Sequence, residues 1–195
     1  MATLAQAVAA PRARGRSRTA YRIGAVVAGS LVVAALAQVS IPLGFTPVPI
    51  TGQTLGVLLV GAALGPGLGA LALALYLAEG AVGLPFFAHH AHGISALGLA
   101  SATGGYLWGF VVAAALVGLL AERGWDRSFA SALGAMFLGN LVIYGFGVAW
   151  LMHALRLPLP AGLQDGLYPF VVGDALKVVV AGAALPTAWR LAGRR

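Results

Sequence analysis

The chain carries one stretch that decides its fold, Leu167-Tyr-Pro-Phe-Val-Val-Gly-Asp-Ala-Leu-Lys-Val-Val-Val-Ala-Gly-Ala-Ala-Leu185, in which one carboxylate and one ammonium group interrupt an apolar run. Asp174 and Lys177 stand three residues apart, so on a helix they share one face. Ionisable groups at membrane depth are costly and usually face a bundle interior or a polar cavity. The spacing fits two interpretations: an ion pair that only stabilises the helix, or a pair that grips one ligand.

Composition identifies an integral membrane protein. Of the 195 residues, 60% are apolar and 9% are charged, and the mean hydropathy is +0.92. A water-soluble domain of this length does not reach such values. Between Ile23 and Ala121 the only charged residue is Glu79. This long segment must lie in the lipid bilayer or against neighbouring helices, which predicts one compact membrane domain.

The net charge of +7 comes mostly from arginines at the two ends of the chain, namely Arg12, Arg14, Arg16, Arg18, Arg22, Arg190, Arg194 and Arg195. Arginines that flank membrane helices are typical topology signals and headgroup contacts, so we expect no nucleic-acid partner. Residues 1–20 are predicted to be a basic cytoplasmic tail that is retained, because no small-residue cleavage site follows. The absence of cysteine excludes a disulfide and a thiolate nucleophile.

Proline, glycine and charged residues divide the segment 21–192 into six predicted transmembrane helices of an all-α fold. Their approximate ranges are 21–40, 51–64, 67–85, 104–121, 129–155 and 167–191. Gly65-Pro-Gly67 predicts a tight turn between the second and third helices, because proline fixes one dihedral angle and glycine permits positive φ. These two helices are predicted to form an antiparallel hairpin.

The basic residues predict the orientation in the cytoplasmic membrane. With both termini in the cytoplasm, ten of the twelve Lys and Arg residues lie inside: five before residue 23, two in the connection 122–127 and three after residue 189. The connections 40–51, 86–103 and 156–166 then lie outside. Asp174 falls in the outer half of the sixth helix, so a cavity between the pair and these loops would open outward.

The outer connections contain further candidate groups. The first, from Ile41 to Gln53, has three prolines in eight residues, which predicts either a rigid rim over a pocket or a plain connector. Gln53 offers both a donor and an acceptor. The second contains His89, His90 and His92. No carboxylate or cysteine accompanies these histidines, so we predict no metal site and expect them to bind a ligand or to be exposed.

The motifs argue against two classes of enzyme. Gly93-Ile-Ser95-Ala96 is similar to the serine motif of rhomboid intramembrane proteases, but the closing glycine is absent and His153 lies on the fifth predicted helix rather than the sixth. Lys177 lacks the glycine-rich run and the following Ser or Thr of a Walker A loop. We therefore expect no enzymatic activity.

Five motifs occur in order along the chain: Ile-Pro-x-x-Phe-Thr-Pro-Val-Pro-Ile-Thr-x-Gln from Ile41 to Gln53, Leu64-Gly-Pro66 with Gly69, Gly83-Leu-Pro85, Thr103-Gly-Gly-Tyr106 with Gly109-Phe110, and Gly173-Asp-x-x-Lys177. Together they resemble the BioY family, the biotin-binding S-components of energy-coupling-factor (ECF) vitamin transporters. The resemblance implies a six-span helical fold with a pocket near the outer face. Two departures concern the second outer loop, where Ala88-His-His-Ala-His92 replaces a glycine-rich run and Ser101-Ala102 replaces a common proline.

The resemblance implies biotin as the ligand and no cofactor. Asp174 would accept hydrogen bonds from the ureido N–H groups, and Lys177 would donate to the ureido carbonyl or balance the charge of Asp174. The other candidates are Tyr106 and Trp150 for ring packing, Gly104 and Gly105 beside them, Gln53, Asn140 and Tyr144 for polar contacts, and His89 or His90 for the carboxylate.

The resemblance also implies protein partners, namely a coupling (T) subunit and ATPase (A) subunits. S-components of this class resemble one another in a small-x-x-x-small patch on the first helix that lies against the coupling subunit. The nearest match here is Ala25-Val-Val-Ala-Gly29 with the adjacent Ser30. Two other functions stay open: an S-component for another vitamin, and a permease that needs no partner.

Overall fold

The computed structural model describes residues 3–5 and 16–192, with only the backbone of residue 16, so Arg12, Arg14, Arg194 and Arg195 of the predicted basic ends lie outside it. The long helices are α1 (Arg16–Gln38), α2 (Gln53–Ala81), α3 (Gly104–Glu122), α4 (Phe129–Leu155) and, after the short helix α5 (Leu159–Gly166), α6 (Val171–Leu191). Single 3₁₀ turns occur at Ala88–His90, Ile94–Leu97 and Tyr168–Phe170. Two-residue strands β1 (Ser40–Ile41) and β2 (Ile50–Thr51) pair antiparallel.

Within the described residues, five helical segments are long and apolar enough to cross a membrane: Ser17–Gln38, Gln53–Ala81, Gly104–Glu122, Phe129–Leu155 and Leu159–Leu191. The fold is therefore helical, as predicted, with a single short strand pair inside one loop. Some boundaries differ from the prediction. The first helix begins at Arg16, within the stretch predicted as a tail. The last predicted helix, 167–191, begins later, at Val171, because Leu167, with φ −129° and ψ −60°, and a 3₁₀ turn at Tyr168–Phe170 precede it.

Helix α2 consists of two helical arms that meet in a sharp reversal at Gly65, which has φ +83° and ψ 177°. Gln53 Nε2 donates to Tyr76 Oη at 2.5 Å although 23 residues separate the two. Along a straight helix they would be about 35 Å apart. The arms 53–64 and 66–81 therefore run antiparallel, which confirms the hairpin predicted from Gly65-Pro-Gly67.

Glycines bring this hairpin and α3 into backbone contact. A Cβ atom added to Gly61 would lie 2.7 Å from the carbonyl oxygen of Ala114, and one added to Gly118 would lie 2.8 Å from that of Gly61. Such distances exclude any larger side chain without a shift of the helices, so close approach depends on these glycines. The fully buried side chains of the surrounding core include Val57, Leu58, Leu73, Tyr76, Met136, Ile143 and Leu151.

Helix α1 turns Gly29 and Ser30, two residues of its predicted partner-binding patch, toward the inside of the fold. A Cβ atom added to Gly29 would lie 2.9 Å from Ala72 Cβ on the second arm of α2. Ser30 is fully buried, and its hydroxyl donates to a carbonyl of its own helix at 3.0 Å. Gly29 and Ser30 are therefore buried against the rest of the fold in this structure. The opposite face of α1 is exposed and carries Gly24 and Ala28.

The bundle has two distinct ends. The loop end contains the connections 39–52, 82–103 and 156–170, together with the first turns of α2, α3 and α6. The arginine end contains the turn at Gly65, the connection 123–128 and the last turn of α6, with Arg123, Arg127 and Arg190 exposed. The polar candidates of the sequence analysis lie mainly at the loop end.

Candidate functional site

The predicted ion pair lies at the loop end, with Asp174 in the first turn of α6. Lys177 Nζ is 2.6 Å from Asp174 Oδ1. Thr54, at the start of α2, joins both groups: its hydroxyl donates to Asp174 Oδ1 at 3.2 Å and accepts from Lys177 Nζ at 3.1 Å. Tyr144 of α4 donates to Asp174 Oδ2 at 2.6 Å. Three helices thus meet at one carboxylate, which is 4% exposed.

The electrostatic environment explains how this carboxylate is accommodated. The N-terminal turn of a helix favours a negative charge, because its free N–H groups point outward. Lys177, one turn further along, balances that charge at hydrogen-bond distance. Asp174 accepts three hydrogen bonds here and Lys177 donates two. A carboxylate has about four acceptor positions and an ammonium has three donors, so each group retains one position for a further partner.

A cavity of about 280 Å³ borders this cluster. Its polar lining consists of Thr51, Gln53, Thr54, His89, Thr103, Tyr106, Tyr144, Asp174 and Lys177. Its apolar lining consists of Pro47, Val48, Pro49, Phe87, Ala88, Ala91, Ala96, Leu107, Phe110, Ile143 and Phe170. A mainly apolar cavity with a few convergent polar groups is typical of a small-molecule site.

The proline-rich connection forms one wall of this cavity, through Pro47, Val48 and Pro49. Thr46 fixes the wall: its hydroxyl donates to the carbonyl oxygen of Asp165 in α5 at 2.7 Å and accepts from the N–H of Val48 at 3.2 Å. The pairing of β1 with β2 closes the base of the same connection. The wall is thereby tied to a distant part of the chain, as expected of a rigid rim.

Gln53 lines the cavity, but its amide is already used within the protein. Its Nε2 donates to Tyr76 Oη at 2.5 Å, and its Oε1 accepts from the hydroxyl of Thr51 at 3.0 Å. Tyr76 in turn donates to the carbonyl oxygen of Phe86 at 3.2 Å. Gln53 therefore holds the two arms of α2 and the second outer connection together.

The histidine loop lies at the opening of the cavity. His89 lines the cavity, and its Nδ1 is 3.2 Å from Ser40 Oγ. His89 and His90 have φ angles of +57° and +58°, a region that favours glycine. Gln38 fixes this strained loop: its Oε1 accepts from the N–H of His90 at 3.3 Å, and its Nε2 is 3.3 Å from the carbonyl oxygens of Pro85, Phe86 and Phe87. The side chain of His90 is exposed.

Tyr106 lines the cavity as predicted, and its hydroxyl donates to the carbonyl oxygen of Gly166 at 2.6 Å. Gly104 and Gly105 instead accommodate the indole of Trp150, since added Cβ atoms would lie 3.0 Å from its Nε1 and 2.8 Å from its Cγ, respectively. Trp150 lines a separate, open groove between α3 and α4. Trp150 therefore lies outside the cavity that Tyr106 lines, and Gly104 and Gly105 contact Trp150 instead.

Asn140 lies on α4 one turn further from the loop end than Tyr144. It is 6% exposed and is not among the residues that line the cavity. Its Oδ1 is buried and has no hydrogen-bond partner within the described residues.

The sequence analysis missed Thr54 and the aromatic walls formed by Phe87, Phe110 and Phe170. Thr54 follows Gln53 directly, so its position at the start of a helix beside a predicted site residue was an available signal. The sequence contained no such signal for the phenylalanines, because lipid-facing and cavity-facing positions are both apolar. Within residues 3–5 and 16–192, no group of three or more His, Asp or Glu side chains could hold a metal ion.

Apolar helices around a small cavity with a buried ion pair define a multi-pass membrane protein with a small-molecule site. The chain belongs to the BioY family, whose model matches residues 9–194.

Comparisons with individual proteins agree with this family. The chain is 43% identical to the biotin transporter BioY of Thermotoga maritima over 74% of this chain and 82% of that protein. It is 37% identical to the biotin transporter BioY of Rhizobium etli (72% and 78% covered) and 38% identical to that of Rhodobacter capsulatus (81% and 87% covered). The fold is similar to the crystal structure of the S-component for biotin from an ECF-type ABC transporter, with a TM-score of 0.80 at 23% identity, covering 91% of this chain and 95% of that chain.

Proposed function

We propose that this chain binds biotin and serves in its uptake across the cytoplasmic membrane, as the substrate-capture subunit of an ECF-type transporter. The observation that carries the proposal is the buried carboxylate of Asp174, hydrogen-bonded to the partly buried Lys177, Thr54 and Tyr144 beside a mainly apolar cavity. The relatives described as biotin transporters support the choice of ligand. The role is that of a transporter, and we assign no catalytic residue.

The chemistry of biotin matches the groups in the cavity. Its ureido ring has two N–H donors and one carbonyl acceptor. Asp174 provides acceptor oxygens for the two N–H groups, while the free donor of Lys177 serves the ureido carbonyl. The apolar thiophane ring would pack against side chains such as Leu107 and Phe110.

His89 is the proposed partner of the biotin carboxylate. Its Nδ1 is directed to Ser40, so its Nε2 is the ring nitrogen assigned to the ligand. His90 would act only through its backbone contact with Gln38, because its side chain does not line the cavity. The variant His89→Gln keeps a hydrogen-bond donor but no charge, and His89→Ala removes both. We expect a larger loss of affinity for His89→Ala, and equal affinities for wild type and both variants would exclude this role.

We infer six membrane crossings with both termini in the cytoplasm. The two arms of α2 count as separate crossings, because the hairpin returns the chain to the loop end. Arg123, Arg127 and Arg190 lie at the opposite end, and the positive-inside rule assigns that end to the cytoplasm.

The absence of cysteine makes this topology easy to test. Gly44→Cys and Ser128→Cys place single thiols in exposed loops at the two ends of the bundle. In intact cells, a membrane-impermeant maleimide should label Gly44→Cys, whereas Ser128→Cys should react only after permeabilisation. The reverse pattern would invert the topology.

The ligand is tested by isothermal titration calorimetry on the purified protein with biotin, desthiobiotin and an unrelated vitamin such as riboflavin. We expect saturable binding of biotin, and weaker binding of desthiobiotin, which keeps the ureido group but lacks the sulfur ring. Binding of riboflavin without binding of biotin would establish another vitamin as the substrate.

We place the contact with the coupling subunit on the exposed face of α1, where Gly24 and Ala28 stand four residues apart. Ala25 is half-buried beside this face. Ala28→Leu should leave biotin affinity unchanged and abolish ATP-driven uptake into proteoliposomes that contain the coupling and ATPase subunits. Ala183→Leu, at an exposed position of α6, is the matched control. Equal wild-type uptake with and without the partners and ATP would favour a permease that needs no partner.

A further inference from the structure

Asn140 presents a buried acceptor that nothing in the resting site uses. The side chain is 6% exposed, and its Oδ1 has no hydrogen-bond partner within residues 3–5 and 16–192. Leaving a buried polar atom unpaired destabilises the folded protein. This destabilisation is relieved if Asn140 Oδ1 gains a hydrogen-bond partner in another state of the protein.

Two contacts fix the register of α4 against α6. Tyr144 donates to Asp174 at 2.6 Å, and a Cβ atom added to Gly182 would lie 3.0 Å from Leu133 Cδ2. The two helices are therefore antiparallel along this stretch. Residues spaced by four and by seven recur on one helical face. Asn140 is seven residues after Leu133 and four before Tyr144, so it lies on the face of α4 that contacts α6.

The same register brings Asn140 level with Lys177. Asn140 lies four residues from Tyr144, about 6 Å along α4, and Lys177 lies three residues from Asp174, about 4.5 Å along α6. Counted from the contact of Tyr144 with Asp174 the two levels differ by about 1.5 Å, and counted from the contact of Leu133 with Gly182 they differ by about 3 Å in the opposite sense, so Asn140 and Lys177 lie at nearly the same height. Lys177 Nζ uses two of its three donors, on Asp174 and Thr54.

The resting hydrogen bonds of Asp174 conflict with a ligand that brings two N–H donors. The carboxylate already accepts from Lys177, Thr54 and Tyr144, which leaves about one acceptor position. One of these three protein donors must therefore leave the carboxylate when both N–H groups of the ligand bind it. Lys177 is the flexible one, because its ammonium sits on a four-carbon chain. The side chain of Lys177 is only 17% exposed, so an ammonium that leaves its carboxylate there needs another acceptor.

We propose that Asn140 Oδ1 accepts the ammonium of Lys177 when biotin takes over Asp174. Asn140 is then a positioning residue: it holds Lys177 for donation to the ureido carbonyl and does not touch biotin. This inference rests on the proposed function and names a step in that same site.

The test measures the affinity of two Asn140 variants for biotin and the melting temperature of the ligand-free protein. Asn140→Leu keeps the approximate size and removes the acceptor, and we expect the Kd for biotin to rise about tenfold. The melting temperature of the ligand-free protein should stay equal or rise, because an unpaired polar group has been removed. Asn140→Asp retains an acceptor oxygen in the same place, and its Kd should stay within threefold of wild type.

A double-mutant cycle separates an effect through Lys177 from a direct contact with the ligand. In a Lys177→Met background, Asn140→Leu should change the Kd less than twofold. Where binding is too weak for calorimetry, the rise in melting temperature at millimolar biotin supplies the affinity.

Each other outcome overturns the inference. Equal loss of affinity in both backgrounds would mean that Asn140 contacts biotin or shapes the cavity. A lower melting temperature without loss of affinity would make Asn140 purely structural. An unchanged Kd for Asn140→Leu in a protein that binds biotin would refute only this inference, whereas absence of biotin binding by the wild type would refute the proposed function as well.

Discussion

Helix α6 has a buried carboxylate against each of its ends, and the two carboxylates differ in their surroundings. At the loop end, Asp174 accepts hydrogen bonds from a lysine, a threonine and a tyrosine beside a cavity. At the arginine end, Asp126 is 1% exposed and its Oδ2 accepts from Trp189 Nε1 at 2.5 Å. Its Oδ1 is unpaired within the described residues. Arg127 stacks on the Trp189 ring, 4.7 Å from its centroid.

Burial alone does not identify a carboxylate that binds a ligand. Asp126 joins the connection 123–128 to the end of α6 through one neutral donor, and it lines neither of the two cavities described above. Burial raises the pKa of Asp126 above its ordinary value of 3.8. Asp174 has several donors, a charged partner and a cavity. The loop end therefore has the features expected of a ligand site, and the cluster at the arginine end has those of a packing contact.

The sharpest test of this contrast is the same substitution at both ends. Asp174→Asn should weaken biotin binding at least tenfold, which is about 1.4 kcal/mol or more, because a charged acceptor is lost and Lys177 is left without its counter-charge. Asp126→Asn is the matched control and should stay within twofold of wild type. Calorimetry on both purified variants measures the difference. Unchanged affinity in folded Asp174→Asn would make both carboxylates structural.

A second test concerns the donors around Asp174. Tyr144→Phe removes the hydroxyl that donates to Oδ2 but keeps the ring, so biotin affinity should fall about three- to tenfold, or about 0.7–1.4 kcal/mol. Tyr168→Phe is the control, because Tyr168 is exposed and does not line the cavity. If both variants bind biotin like the wild type, the Tyr144 hydroxyl does not support the ligand site.

At the arginine end the expected effect is on stability and not on binding. Trp189→Phe removes the donor to Asp126 and should lower the free energy of unfolding by about 1 kcal/mol. The biotin Kd should remain within twofold of wild type. Thermal unfolding in detergent, with and without biotin, gives both quantities. A loss of affinity at full stability would show that the two ends are coupled.

The smallest expected effect is a pH dependence from Asp126. Because its folded pKa lies above 3.8, the folded state binds more protons between that value and the raised one. Its contribution to stability is therefore fully present below pH 3.8 and declines as pH rises through the raised pKa. The melting temperature of wild type relative to Asp126→Asn should fall as pH rises through this window. Parallel profiles would contradict the raised pKa.

Local features of the sequence predicted much of the architecture. The apolar runs, the hairpin at Gly65-Pro-Gly67 and the shared face of Asp174 and Lys177 each depend on residues within a few positions of one another. Backbone hydrogen bonding in lipid and helical periodicity act over that range, so these predictions needed no tertiary information. The family resemblance followed from motifs of the same local kind and was confirmed by the family match.

Only the tertiary structure decided which apolar faces turn inward. Thr54 joins Asp174 across 120 residues, Gly29 packs inside the fold, and Trp150 faces a groove away from the cavity. Lipid and protein core are equally apolar, so hydropathy does not distinguish a helix face that meets lipid from one that meets another helix. The sequence by itself determined which segments enter the membrane and where the charges lie along them. Helix packing decided which side chains share a cavity, because close contact depends on shape and small residues and not on polarity.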